Sequence, residues 1–409
     1  MNQTITGVKG FSAAAIACGI KQSGKPDLAL LVSEVPATAA AVFTQNKVVG
    51  APIIVGRSHI TSHTLRACII NSGCANVCTG AEGVQNAREM CLLTAQEICQ
   101  EGEALPIRSI LPSSTGVIGH FLPMDKIRAG IPLVAAQLSN SVAAGNAFAN
   151  GILTTDLVAK TAFTTLRIGG KKVTIAGCCK GSGMIAPNMA TMLAYIATDV
   201  KIAPAVLNKT LKQVADQTFN CVTVDQHTST SDTFAVLANG LAGNTKITGG
   251  SALAQFAKAL YEVADALARQ IAQDGEGATK LVEIWVKGAA SLADAKKAAE
   301  AIANSALCKT ALHGADPNWG RFVSAAGYSG AAMNPDSVAC CIFAPKGKSY
   351  VVFKAGRPTP VKLVDVAKLM QGKHVAVEVD LGLGKVHTAR VYTCDLSREY
   401  IAINADYHT

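Results

Sequence analysis

Short runs of small and β-branched apolar residues, punctuated by turn residues, fill the first third of the chain. Residues 28–32 (LALLV), 40–43 (AAVF) and 67–70 (ACII) have the length and content of strands. Between 83 and 101 the pattern changes period. Val84, Ala87, Cys91, Leu92, Ala95 and Ile98 recur at helical spacing, which predicts an amphipathic helix. A second helical zone covers 125–149, and Pro132 predicts a break into two helices there. Residues 158–175 read as a hairpin around Gly169-Gly170. The second half predicts helices over 203–219, 252–272 and 291–307, the last opened by Ser291 as cap and Asp294 in the first turn. Strands follow at 280–286, 337–344, 350–354, 375–380 and 388–394. The expectation is two closely associated α/β lobes with mostly antiparallel strands, without a linker or internal repeat.

Composition narrows the function classes. The 409 residues are 49% hydrophobic and only 16% charged, with 36 glycines and 5% aromatics, so the chain buries a large core of small side chains. The net charge of +9 is spread out, without a basic arm or stripe. That argues against nucleic acid and fits small anionic substrates. The apolar stretch after Lys9 is too short to cross a membrane, and a cytoplasmic location is expected. The 13 cysteines form no CxxC spacing and read as reduced, mostly buried thiols. Histidines lack metal-ligand spacing, so neither a metal nor a cofactor is expected. Gly347-Lys348-Ser349 and Gly382-Leu383-Gly384 mimic phosphate loops, but each precedes a strand rather than a helix.

Chemistry concentrates in residues 177–199, GCCKGSGMIAPNMATMLAYIATD. Gly177, Gly181 and Gly183 suggest a free loop; Pro187 stiffens it, and a small apolar run follows Thr191. A hydroxyl at such a junction is able to attack the preceding carbonyl, turning the amide into an ester that water cleaves. The freed threonine then carries its own base, an α-amine of pKa about 7.7–8.0. By residue types alone, an ordinary structural turn remains the competing reading.

The string KGSGMIAPNMATMLAYIATD resembles the cleavage signature of the arginine-biosynthesis glutamate N-acetyltransferases, also called ornithine acetyltransferases. Similar strings recur in order along the chain. They are Asn71-Ser72-Gly73, Ser113 to Gly119 (SSTGVIG), Thr154-Thr155-Asp156, Asp274 to Lys280 (DGEGATK), Asp316 to Arg321 (DPNWGR) and the terminal Ile403 to Thr409 (INADYHT).

The resemblance implies an α+β layered sandwich of largely antiparallel sheets flanked by helices, of the N-terminal-threonine-nucleophile type. It implies self-cleavage between Ala190 and Thr191 into an α chain of 1–190 and a β chain of 191–409, which assemble as a heterotetramer (α2β2) or larger. Thr191 becomes the nucleophile, with Thr115 and Gly116 as the oxyanion hole. Substrate binding falls to Thr154, Lys180, Thr191, Glu276, Asn404 and Thr409. The implied reaction moves an acetyl group from N-acetylornithine to glutamate through an acetyl-Thr191 ester. Whether acetyl-CoA also serves as donor is left open. The alternative is a self-cleaving amidohydrolase or aminopeptidase of the same fold, with water as acceptor. Cys74, Gln226, His227, Ser231 and His408 depart from the family's usual residues, and none is expected to touch the nucleophile or the oxyanion pair.

Overall fold

The computed structural model describes residues 2–99, 104–186 and 192–406. Strands β1 (Phe11–Ile16), β2 (Leu28–Phe43), β3 (Thr64–Cys74), β4 (Ile110–Val117), β5 (Lys160–Ile168), β6 (Lys171–Lys180), β7 (Leu193–Thr198) and β8 (Thr233–Ala238) join in one sheet of order β4-β3-β2-β8-β7-β6-β5, with β1 added beside β2. Only β3–β4 and β7–β8 run parallel within it.

The two strands expected at 28–32 and 40–43 are one strand, β2. It pairs with β1 and β3 in its first half and with β8 in its second, and its register slips between Val32 and Ala37. Pro36 sits in that slip, where a missing amide donor costs no ladder bond. The bulge turns a single sheet into two stacked layers. Cys68, Ile70 and Leu111 of one layer share a core with Cys178, Leu193, Tyr195 and Leu237 of the other.

Helices cover both outer faces. Helices α1 (Ala51–His59), α2 (Gly80–Ile98) and α3 (Met124–Ala136) lie toward the first layer, where Met90, Ile127 and Ile131 meet Leu28, Leu30 and Ile69. After α4 (Val142–Gly151), helices α5 (Pro204–Gln217) and α6 (Gly250–Gln273) cover the second layer, with Leu211, Phe256 and Leu260 packed on Ile175, Ile196 and Val236. The strand residues on the two cores alternate, as a pleat buried on both faces requires. Pro132 does not break the second helical zone. It sits inside α3, and the break comes at Ser141, whose hydroxyl accepts from the Ala144 amide and caps α4. The Gly169-Gly170 hairpin forms as expected, but its second strand continues to Lys180, so Gly177 belongs to a strand and not to a loop.

The second lobe holds β9 (Leu281–Gly288), α7 (Leu292–Asn304), α8 (Ala306–His313), α9 (Trp319–Gly327), β10 (Ala339–Phe343), β11 (Ser349–Lys354), β12 (Arg357–Pro358), α10 (Leu363–Met370), β13 (His374–Asp380) and β14 (Lys385–Cys394), followed by α11 (Arg398–Asp406). Its sheet order is β12-β11-β10-β13-β9-β14, with β9–β13 the parallel pair. The helix expected over 291–307 ends early because Ser305 accepts from the Cys308 amide and starts α8. The architecture is the expected layered α+β sandwich with largely antiparallel strands.

All 13 cysteines are free thiols, and most are buried. No helix among the described residues is long and apolar enough to cross a membrane.

Candidate active site

A cavity of about 190 Å³ opens at one end of the sandwich, where β4 of one layer meets β6 of the other. Its volume lies below the roughly 300–1,000 Å³ of drug-sized sites and suits a small metabolite. Thr115, Gly116, Thr154, Lys180, Glu276 and Asn404 all line it, although they come from β4, the α4–β5 loop, β6, the α6–β9 loop and α11. Thr191, Ala190 and Thr409 lie outside the described residues.

The chain on either side of 187–191 is fixed. On the near side, the Met184 and Ile185 amides donate to Asp225 Oδ2 and Oδ1 (2.6 and 2.8 Å). On the far side, the Met192 amide donates to Asp232 Oδ1 (2.9 Å), and Leu193 pairs in register with Lys180 on β6 and Thr233 on β8. Residue 192 therefore emerges beside the end of the strand that carries Lys180.

Thr115 and Gly116 are set by a close crossing of β3 and β4. The Ser114 hydroxyl donates to Asn71 Oδ1 (2.5 Å), and Asn71 Nδ2 donates to the Cys74 carbonyl (2.8 Å). Gly116 adopts φ +130°, and a Cβ on it would lie 2.3 Å from the Gly73 carbonyl carbon. Cys74 pairs with Thr115 and Val117 across this bulge, so this departure does touch the pair expected to form the oxyanion hole, contrary to expectation. His227 and Ser231 line the cavity as well, so two further departures face the substrate space; His408 lies outside the described residues.

The loop of Asp274 to Lys280 carries Glu276 and is tied at both ends. The Ser182 hydroxyl donates to the Asp274 carbonyl (2.6 Å) and the Glu276 amide to the Ser182 carbonyl (3.0 Å). Asp395 accepts from the Thr279 and Lys280 amides (2.8 and 2.9 Å), and Lys280 Nζ donates to the last carbonyls of α8 and α10, Leu312 and Met370 (both 2.7 Å). Asn404 Nδ2 donates to Glu276 Oε2 (2.8 Å), which brings α11, a helix without a buried residue, over the cavity.

A Cβ on Gly183 would lie 2.2 Å from Glu276 Oε2. Gly183→Ala is therefore expected to push the carboxylate off its Asn404 partner and raise the KM for a cationic substrate by about tenfold or more, with a smaller change in kcat. Steady-state kinetics over a range of substrate concentrations checks this.

The charges are strongly perturbed. Burial lowers the Lys180 pKa, opposed by Asp156, Asp232 and Glu276. Complete burial pushes the Asp232 carboxyl well above the usual range, and burial also raises Asp225. Such perturbed groups in a cleft mark a functional site. Sequence reading assigned no role to Asn71, Asp156, Lys160, Asp225, Asp232 or Asp274. Asn71, Asp156 and Asp274 stood in the quoted strings, and that was the available signal. Among the described residues no group of three or more His, Cys, Asp or Glu is arranged to hold a metal ion.

A layered α+β sandwich with a buried lysine, facing carboxylates and a strained glycine near the end of β4 in one small cavity defines an enzyme acting on small molecules. The chain belongs to the ArgJ family, whose model matches residues 12–409. The arginine biosynthesis bifunctional protein ArgJ of Geobacillus kaustophilus is 44% identical over 408 residues, spanning 99% of this chain and 96% of its own. The protein of the same name from Geobacter sulfurreducens is 46% identical over 404 residues, spanning 98% of this chain and 100% of its own. A solved structure of the Bacillus halodurans arginine biosynthesis bifunctional protein is 42% identical and covers 45% of this chain and 93% of its own, with a TM-score of 0.43.

Proposed function

We propose that the protein transfers an acetyl group from N-acetylornithine to glutamate by a ping-pong route through Thr191, after cutting itself at Ala190–Thr191. The observation that carries this reading is the convergence of Thr115, Gly116, Thr154, Lys180, Glu276 and Asn404 on one cavity beside the fixed chain at 184–185 and 192. Membership of the ArgJ family supports it.

In the first half-reaction Thr191 Oγ attacks the acetyl carbonyl and its proton passes to the Thr191 α-amine. Thr115 and Gly116 stabilise the oxyanion, a contribution of about 3–4 kcal/mol for one such donor. The C–N bond breaks, the ornithine nitrogen takes the proton, and an acetyl ester remains. In the second half-reaction the glutamate amine attacks the ester, and Thr191 Oγ recovers its proton as N-acetylglutamate leaves. Lys180 pairs with the substrate α-carboxylate and Glu276 with the distal ammonium of ornithine. Thr154, Asn404 and the terminal Thr409 complete the binding set. The relatives' description as bifunctional favours acetyl-CoA as a second donor, with no bound cofactor. The two chains assemble as a heterotetramer or larger, in the cytoplasm.

Labelled acetyl from N-acetylornithine is followed in the presence of glutamate. Label in N-acetylglutamate supports the transferase; label released as acetate, with water as acceptor, supports the amidohydrolase alternative. Replacing the donor by labelled acetyl-CoA separates one donor from two.

A further inference from the structure

Behind the cavity wall lies a cluster of charges that the acetyl-transfer chemistry above does not use. Lys160 Nζ donates to Asp156 Oδ1 (2.6 Å), to Asp274 Oδ2 (2.5 Å) and to the Val158 carbonyl (3.3 Å), so its three protons are all placed. The Lys160 and Asp156 side chains are 0% exposed and that of Asp274 is 7% exposed. Asp156 does more than pair with Lys160. Its Oδ1 also accepts from the Gly181 amide (2.6 Å), one residue after Lys180, and its Oδ2 accepts from the Thr154 amide (3.1 Å). Asp274 Oδ2 accepts from the Leu157 amide (3.1 Å) and stands two residues before Glu276. Three segments that carry the proposed substrate-binding positions thus meet on the buried Lys160–Asp156 pair.

Charge counting gives the cluster a direction. Two carboxylates and one ammonium leave a net negative charge in a dry site, and an unbalanced buried charge is costly. Lys180 is the cation that closes the balance. We propose that Asp274, Lys160, Asp156 and Lys180 form a buried line of alternating charge, in which Asp156 is the positioning residue that keeps Lys180 cationic for the substrate α-carboxylate. This rests on the acetyl-transfer reading of the cavity.

The other groups around Lys180 do not replace Asp156. Asp232, just before β8, has its carboxyl pushed well above the usual range by complete burial, and its Oδ1 is already taken by the Met192 amide. Glu276 is engaged by Asn404 and stands opposite the substrate's ammonium. Lys160, Lys21 and the Cys179 thiol complete the neighbourhood; Lys21 is pushed down to about 8 by burial and repels rather than balances Lys180. Burial disfavours charge on Asp156 too, yet the Lys160 and Lys180 ammoniums hold its carboxyl below the ordinary aspartate range. Burial also lowers the Lys180 pKa, and Asp156 is the first of the opposing charges. Removing the Asp156 charge makes Lys180 lose its proton at a lower pH. Donor binding then fails as pH rises, and is retained at acid pH.

The test is the pH profile of kcat/KM for N-acetylornithine on the matured enzyme, for wild type, Asp156→Asn, Lys160→Met and Lys160→Arg. The alkaline limb is expected about one pH unit lower in Asp156→Asn, since a nearby opposite charge moves a pKa by roughly 1–3 units. Its KM should rise about tenfold over that range with kcat at saturating donor nearly flat. Lys160→Met, which removes one of the two ammoniums that hold the Asp156 carboxyl down, should move the limb the same way. Lys160→Arg should bring it back. Profiles that fall in parallel with wild type for Asp156→Asn overturn the proposal. If Asp156→Asn does not mature, equal limbs in Lys160→Met and Lys160→Arg overturn it instead. Lys180→Met separates the two layers of the argument. An unchanged KM there removes Lys180 as the carboxylate partner, whereas a raised KM with an unmoved Asp156→Asn limb removes only the charge line.

Discussion

Thr191→Ala is expected to give a single 409-residue band on a denaturing gel where the parent chain gives two, with acetyl transfer lost. Without the hydroxyl nothing attacks the Ala190 carbonyl, so the peptide bond is not converted to the ester that water cleaves. The same change removes the acyl acceptor and leaves no α-amine to serve as its base. A loss on the order of 10⁶-fold in kcat is the size expected when a covalent nucleophile is deleted. Thr191→Ser keeps the hydroxyl and should still mature. In the parent, the larger product should begin with Thr191, and both products should co-elute without denaturant. Their strands interleave: β7 and β8 lie between β6 and β2 in one sheet, so a cut between residues 190 and 191 leaves the sheet's hydrogen bonds intact. A mature, active Thr191→Ala enzyme would falsify the nucleophile assignment.

Gly116→Ala is the second change with a large expected effect. At φ +130° an L side chain is strained before any contact is considered. The added Cβ would also lie 2.3 Å from the Gly73 carbonyl carbon and 2.6 Å from the Cys74 amide nitrogen. Both are backbone atoms held by the β3–β4 pairing and by the Asn71–Ser114 bond, so no side chain can swing aside. The strand end has to shift, and the donors proposed for the oxyanion shift with it. A loss of about 10²–10³ in kcat is expected, with KM changed far less. Thr115→Ala removes only a side-chain hydroxyl and should cost less. A Gly116→Ala enzyme with unchanged kcat and a raised KM would show that the turn serves binding and not the oxyanion.

Periodicity located most of the secondary structure. It could not join 28–32 to 40–43, because Ser33 to Pro36 look like a turn locally and become a bulge only when partner strands on both sides hold the chain extended. It places a break of the 125–149 zone at Pro132, whereas α3 carries that proline on to Ala136 and Ser141 caps the next helix. Gly177 was read as loop because three glycines stood close together; pairing of residues 177–180 with β5 and β7 outweighs their backbone freedom.

For the site, residue types alone pointed weakly to Thr191, and the ordered strings supplied the remaining positions. Sequence by itself therefore determined the chemistry available: a hydroxyl able to become an N-terminal nucleophile, a lysine, a glutamate and a Ser-Thr-Gly string, in a chain with few charges to spare. Only the tertiary structure decided which of these meet. Thr154 and Glu276 are far apart in sequence, yet Lys160 draws their segments together through Asp156 and Asp274. That choice is not local. A buried ammonium acquires carboxylate partners only after two sheet layers have excluded water from it, and nothing in the order of residues states which carboxylates those will be.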